Sequence, residues 1–350
     1  MDRSPPLAAG THQQDAATAL LQQIAAGWVS QALHAAVELG LPELLGEQAR
    51  TAAELAADSA SEARPLEQLL RALVAVGVCD EVAPQRYALT ATGAHLRLDH
   101  PRSLAHWTRW WGRNLWPLWP ELGATVRSGE SARVRLLGTQ GFEHLQQDEE
   151  SARLFHAALA ELARLVADRV ADLDCFATAQ HVIDVGGGHG EILAAVLGRH
   201  RGLRATLLDQ AHALPFAHAR LDGAGVLKRS ELVAGDFFES VPGGADLYLL
   251  KSVLHDWADE PAVQILRRCR DALTRDGARL LVIERVLPDR MQSSAEHQDL
   301  ARSDLTMLLA HGAGERRLAD FERLFDAAGL CLERVRPLGL TMSVLDLAAR

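Results

Sequence analysis

One histidine and a set of carboxylates, each following a short apolar run, have the types and spacing for chemistry. His255 stands in Leu249-Leu-Lys-Ser-Val-Leu-His-Asp-Trp257, four residues after Lys251 and beside Asp256. A phenol ionises only near pH ~10 and is a poor nucleophile at neutral pH. A neutral imidazole within hydrogen-bond reach can take its proton as the phenolate forms. With 15 histidines in the chain, a structural role is the ordinary expectation for any one. His255 is set apart by following a strand end on the side of the sheet where ligands bind. Glu284 closes Leu281-Val-Ile-Glu284, and Glu315 sits in Ala313-Gly-Glu-Arg-Arg317. Either carboxylate can hold the imidazole and favour its protonated form. The competing role for Glu315 is a surface cap before Leu318.

A second group surrounds the run Val182-Ile-Asp-Val-Gly-Gly-Gly-His-Gly190, a strand entering a glycine turn and then a helix. Glycines there allow positive φ and close backbone approach to a ligand. The competing role is a tight turn that serves packing alone. Asp184 precedes the glycines, where an acid repels a phosphate but suits a ligand with an amino group. Asp209 ends Thr206-Leu-Leu-Asp209, 19 residues past Gly190, where a carboxylate can take two ribose hydroxyls. Gly235-Asp-Phe-Phe238 adds Asp236 and the Phe237 ring at the next strand end, beside an adenine. The spacing is not G-x-G-x-x-G, and the loop carries no basic group for a pyrophosphate. Both points favour S-adenosylmethionine over NAD.

These residues need a scaffold. After Ala179, short apolar strands at His181–Val185, Ala205–Leu208, Glu231–Ala234, Asp246–Leu250 and Arg279–Ile283 alternate with helices near Glu191–Arg199, Ala211–Leu221 and Pro261–Leu273. That rhythm means an α/β domain with a parallel sheet in right-handed βαβ units. A helix at Phe321–Ala328 precedes a terminal strand pair, Leu330–Val335 and Met342–Leu347. Upstream, 16–45 has apolar residues at helical spacing, on more than one side. Two short helices follow, the first with a Thr51–Glu54 capping box, then a hairpin around 83–85. Helix, turn, helix and hairpin make a winged-helix pattern. Asp148 caps a long helix to about Asp172. The expected organisation is a flexible tail at 1–15, a winged-helix-like domain at 16–105, a helical linker and lid at 106–178, and the α/β domain at 179–350.

Composition narrows the function. The 350 residues suit about two domains. The net charge, 36 − 46 = −10, opposes a nucleic-acid or anionic-membrane binder. Residues 1–100 carry 6 Arg against 12 Asp and Glu, a net of −6, which opposes DNA binding by the winged helix. No stretch of ~20 apolar residues is present to span a bilayer, and no secretion signal is visible. Four scattered cysteines read as reduced thiols of a cytoplasmic protein. No carboxylate or histidine cluster with metal spacing is seen, so no metal is expected.

The runs DVGGGHG, LLDQ, GDFF, LLKSVLHDW, VIERVLP and DLTMLLAHGAGERR, in that order, resemble the class I O-methyltransferases of plant phenol and bacterial natural-product pathways. The acetylserotonin, caffeate, anthracycline and phenazine enzymes are of this group. The resemblance covers residue 16 to the end. It implies a Rossmann-like methyltransferase domain of seven strands, the last antiparallel, and an N-terminal winged-helix-like dimerisation domain that makes a homodimer. It implies His255 as catalytic base, with Glu284 and Glu315 orienting it. Gly186, Gly188, Asp184, Asp209, Asp236, Phe237 and Lys251 are the implied contacts to S-adenosylmethionine, with Phe155, Ser252 and Trp257 as additions. The implied acceptor is a small hydroxylated aromatic, and the Arg-rich composition favours a bacterial phenazine or polyketide. Trp107, Trp110 and Trp111 either stack this acceptor or fill a core, and Met307 and His311 are further candidates for its pocket. Gly312-Ala313 replaces the plant pattern's Asn-Pro, and Arg317 its usual Thr, which argues against plant-like acceptors. Two alternatives remain: a same-fold hydroxylase or decarboxylase, and a regulator that only senses the cofactor.

Overall fold

The computed structural model describes residues 15–139, 145 and 148–350, and the chain divides into two compact units, 1–94 and 95–350. All but the last residue of the expected tail at 1–15 lies outside the described residues. No described helix is long and apolar enough to cross a membrane.

In the first unit the apolar run 16–45 is not one helix but three: Ala16–Ala25, Trp28–Glu38 and Leu41–Leu45. Gly40, at φ +67°, turns the chain after the second, and Pro42 starts the third with φ already set. Ala16–Ala25 buries none of its residues; Leu20, Leu21 and Ile24 are all exposed. Thr51 and Glu54 form the reciprocal capping box that starts Ala52–Asp58. Ala63–Ala75 buries Leu66, Leu70 and Leu73, one helical stripe. Strands β1 (Arg50–Thr51), β2 (Cys79–Ala83) and β3 (Arg86–Leu89) complete the winged pattern as an antiparallel sheet in the order β1-β3-β2.

The second unit is built on β4 (His181–Val185), β5 (Arg204–Asp209), β6 (Ser230–Ala234), β7 (Leu247–Lys251), β8 (Arg279–Leu287), β9 (Arg316–Arg317), β10 (Leu330–Gly339) and β11 (Met342–Ala349). The order is β10-β11-β8-β7-β4-β5-β6, and β9, a two-residue strand beyond the seven expected, pairs only with β8. Strands β4 to β8 are parallel, and β11 runs antiparallel to β8. Of the parallel strands, β4, β5, β7 and β8 are buried on both faces, which is why they read as largely apolar runs, while the edge strand β6 buries none of its residues. The chain winds outward from β4 through β5 to β6, then returns to lay β7 on the other side of β4. That reversal opens a crevice at the carboxyl ends of β4 and β7, the place where such sheets bind ligands.

The helical stretch before β4 belongs to this unit. Asp148 caps Glu149–Ala171 by accepting from the N–H groups of Glu150 and Ser151. The buried Glu161 of that helix accepts from the N–H groups of His106 and Trp107, which fixes the start of Ala105–Trp110. A π-turn at Trp111–Leu115 and a 3₁₀ segment with Pro117 and Pro120 follow.

Candidate active site

β4 delivers the glycine turn. Gly186, Gly188 and Gly190 have φ of +69°, +55° and +73°, the left-handed region that side chains resist. A Cβ on Gly187 would lie 2.8 Å from the Asp184 carboxyl carbon and 2.9 Å from the Leu207 side chain. Asp209, at the end of β5, accepts from the Gly188 N–H at 2.8 Å and from its neighbour Gln210. The carboxylate therefore pins the loop it was expected to flank. Asp184 is buried, and its Oδ2 has no hydrogen-bond partner among the described residues. Burial, with repulsion from Asp209, pushes its carboxyl up to about 7, against the pull of Lys251. An orphaned buried carboxylate beside a glycine cradle is the shape for a ligand carrying an amino group.

β7 delivers the second half. Ser252 takes φ +52°, an unusual left-handed turn for a side chain, directly after the strand. Lys251 is lowered by burial, and its Nζ lies 3.0 Å from Ser252 Oγ. The chain then makes a single 3₁₀ turn, Leu254–Asp256, which buries His255. His255 Nδ1 lies 3.1 Å from Glu315 Oε1 and 3.7 Å from Glu284 Oε2. Glu315 also accepts from the Ser303 hydroxyl at 2.7 Å. Glu284 Oε1 accepts from the N–H groups of Val253 and Leu254, so it holds the turn rather than the ring. Of the two carboxylates, Glu315 makes the hydrogen bond, and it is buried rather than a surface cap. The ligand atoms of His255, Glu284 and Glu315 lie within 4.8 Å of one another, a clustering that sequence spacing did not show. Burial disfavours the His255 cation, but Glu284, Asp256 and Glu315 outweigh it and lift the imidazole to about 10.

Between these halves lies a cavity of ≈ 890 Å³. Asp184, the glycine turn, Lys251, Ser252, His255, Phe155, Trp107, Trp110, Met307 and His311 all line it. Phe155 packs on Trp110 at 5.1 Å between ring centroids. Asp209, Asp236 and Phe237 lie off this cavity at the ends of β5 and β6; Phe237 is 3.6 Å from the Cβ position of Gly186. Trp111 is not on the wall: its ring packs beside Trp107 and Trp119, with the Arg302 guanidinium 5.4 Å above it. Trp257 is also off the wall, edge-on to Phe238 at 4.8 Å. Long aromatic side chains have no sequence signal for which way they turn.

Four lining residues were given no role by the sequence. Asp256 had the signal of adjacency to His255. Arg133, from the short helix Ala132–Leu137, is buried beside it, and burial lowers its guanidinium to about 10. His156 and His189 stack at 5.5 Å, and burial holds both down at about 4, so they are neutral at neutral pH.

An O-methyltransferase domain model matches residues 119–331, and an O-methyltransferase dimerisation domain model matches residues 21–97. The chain belongs to the O-methyltransferase family. It is 36% identical to the phenazine O-methyltransferase PhzM of Lysobacter antibioticus, covering 93% of this chain and 94% of that protein. It is 38% identical to a mitomycin biosynthesis 6-O-methyltransferase of Streptomyces lavendulae, covering 94% of each. The crystal structure of NcsB1 from neocarzinostatin biosynthesis, in complex with S-adenosylmethionine and 2-hydroxy-5-methyl naphthoic acid, matches with TM-score 0.75 and 34% identity over 92% of this chain and 96% of that one. The methyltransferase is α/β with a class I fold, and its cofactor is S-adenosylmethionine. The glycine cradle and the orphaned Asp184 carboxylate fit that cofactor's amino-acid end.

Proposed function

We propose that the enzyme methylates a hydroxyl of a flat, polycyclic aromatic natural product of phenazine or polyketide type, with His255 as general base. One observation carries this reading: Glu315 occupies Nδ1 of a cavity-lining imidazole, leaving Nε2 as the nitrogen that can receive a proton. The cofactor supplies an electrophilic methyl carbon on a sulfonium. In this reading Asp184, Gly186, Gly188, Asp209, Asp236, Phe237, Lys251, Ser252 and Phe155 hold it, with Trp257 behind Phe237. Trp107, Trp110 and Met307 stack the acceptor so that its oxygen sits at near-attack distance. A dry pocket favours the transition state, because opposite charges disappear as it forms. The names of the phenazine, mitomycin and naphthoate relatives support an aromatic acceptor. The His255–Glu315 pair weighs against a same-fold hydroxylase or decarboxylase, which needs no base for a phenol.

The test incubates the protein with labelled cofactor and a panel of tricyclic phenols and hydroxynaphthoates, and reads mass gains of one methyl. Cofactor binding with no methyl gained by any phenol would overturn the reading. The imidazole, lifted to about 10, holds its proton at neutral pH in the ligand-free enzyme. Activity needs the neutral ring, so kcat/KM for the acceptor rises from pH 7 to pH 9. A flat profile over that range contradicts a base at His255.

The protein acts as a homodimer through its N-terminal helices. The dimerisation-domain match and the uncovered apolar side chains of Ala16–Ala25 support this. Light scattering gives twice the 38.0 kDa of one chain, and replacing Leu20, Leu21 and Ile24 with serine halves it. A monomeric wild type rules the dimer out.

A further inference from the structure

Asp256 is the carboxylate on the Nε2 side of His255. Its Oδ1 lies 3.6 Å from His255 Nε2 and 3.7 Å from His311 Nε2, so one oxygen stands between two imidazoles. His255 and Asp256 share the turn Leu254–Asp256, while His311 ends the helix Ala295–His311. Arg133 faces Asp256 from Ala132–Leu137, and Glu284 and Glu315 face the far side of the ring from β8 and from the loop before β9. Each methyl transfer to a hydroxyl releases one proton, which the enzyme must discard before the next turnover. Glu315 and the fully buried Glu284 close the Nδ1 side. His255, Asp256 and His311 all line the cavity. Burial, then repulsion from Glu284 and Glu315, sets the Asp256 carboxyl at about 7 against the pull of His255 and Arg133. The hop from an imidazole lifted to about 10 to a carboxyl at about 7 runs uphill, and loss of the proton to solvent at the end draws it through.

We propose that Asp256 and His311 are positioning residues that carry away the proton His255 takes from the acceptor. This rests on the reading of His255 as base. The acceptor's O–H bond breaks and an N–H bond forms at Nε2. The proton then passes to Asp256 Oδ1, on to His311 Nε2, and from there to solvent through the cavity. Both gaps exceed a hydrogen bond, so each transfer crosses a bridging water, which enters as the methylated product leaves.

The first test needs no acceptor. Carboxyl-carbon NMR of the full chain, labelled at aspartate and saturated with S-adenosylhomocysteine, follows the Asp256 titration; the signal is identified by its loss in Asp256→Asn. His311→Phe removes a nitrogen partner of the carboxylate, so the Asp256 midpoint rises by about half a pH unit or more. His311→Gln, which keeps an N–H donor, brings it back toward wild type and covers a Phe variant that fails to fold. In Asp256→Asn, histidine-ring NMR shows the His255 midpoint falling by about one pH unit or more, because an attracting charge is gone. Midpoints unchanged in these variants overturn the proposal, whatever the enzyme methylates. In turnover, His311→Phe lowers kcat at least tenfold with acceptor KM within twofold. A loss confined to KM makes His311 an acceptor contact and overturns the outlet.

Discussion

His255→Ala slows methyl transfer by about 10²–10⁴-fold and leaves the affinity for S-adenosylhomocysteine within twofold of wild type. The two effects separate because different strands deliver the two halves of the site. The glycine turn and Asp209 follow β4 and β5, whereas His255 follows β7 and packs against Glu315 and Glu284. Residual activity comes from placement of the acceptor oxygen, which the variant retains. Truncation also leaves Glu315 buried without its ring partner, so His255→Gln is the gentler companion, and both are checked for an unchanged circular-dichroism spectrum. Calorimetry gives the affinity and product chromatography the rate. Turnover at the wild-type level sinks the assignment of the base.

Asp209→Ala weakens cofactor binding by about 10²-fold, the loss of roughly two charge-assisted hydrogen bonds. Its carboxylate has two tasks. It holds the Gly188 N–H at 2.8 Å, which shapes the turn, and in the proposed reading its remaining lone pairs accept from a ribose diol. Burial raises its carboxyl, and the backbone N–H groups of Gly188 and Gln210 oppose that shift. A ribose that replaces lost solvent with hydroxyl donors stabilises the anion further. Calorimetric titration with S-adenosylmethionine measures the effect. Unchanged affinity means that the ribose sits elsewhere. Asp209→Asn, which keeps one oxygen acceptor, loses less.

The strands and helices around the site were legible because each carries its own local signal. Val182–Val185 and Leu247–Leu250 are apolar runs, the first broken only by Asp184, because both faces of a parallel strand are covered. The Thr51 box and the Asp148 cap name helix starts outright, because a side chain of the right type stands beside the N–H groups it satisfies. Gly40 and Pro42 mark the end of the second helix by type, but the break between Ala25 and Trp28 was not legible, because the apolar spacing stays helical across it. β9 is two residues long and leaves no period to read.

Sequence alone determined the alternation that forces a parallel sheet, the glycine turn, and the place of Asp209 at the end of its strand; it closed the strand of Glu284 too early, since β8 runs on to Leu287. These follow from residue types and short-range spacing, and the motif order reached the family from them. Tertiary structure decided what crosses long separations. It put Glu315, 60 residues away, on the ring of His255, and turned Glu284 to the backbone of the same turn. It brought His311 to the carboxylate beside that ring, and took Trp111 and Trp257 off the cavity wall while leaving Trp107 and Trp110 on it. The physical reason is that a side chain's direction depends on which helix or strand packs against its own, and that packing is settled by the whole core at once rather than by near neighbours in the chain.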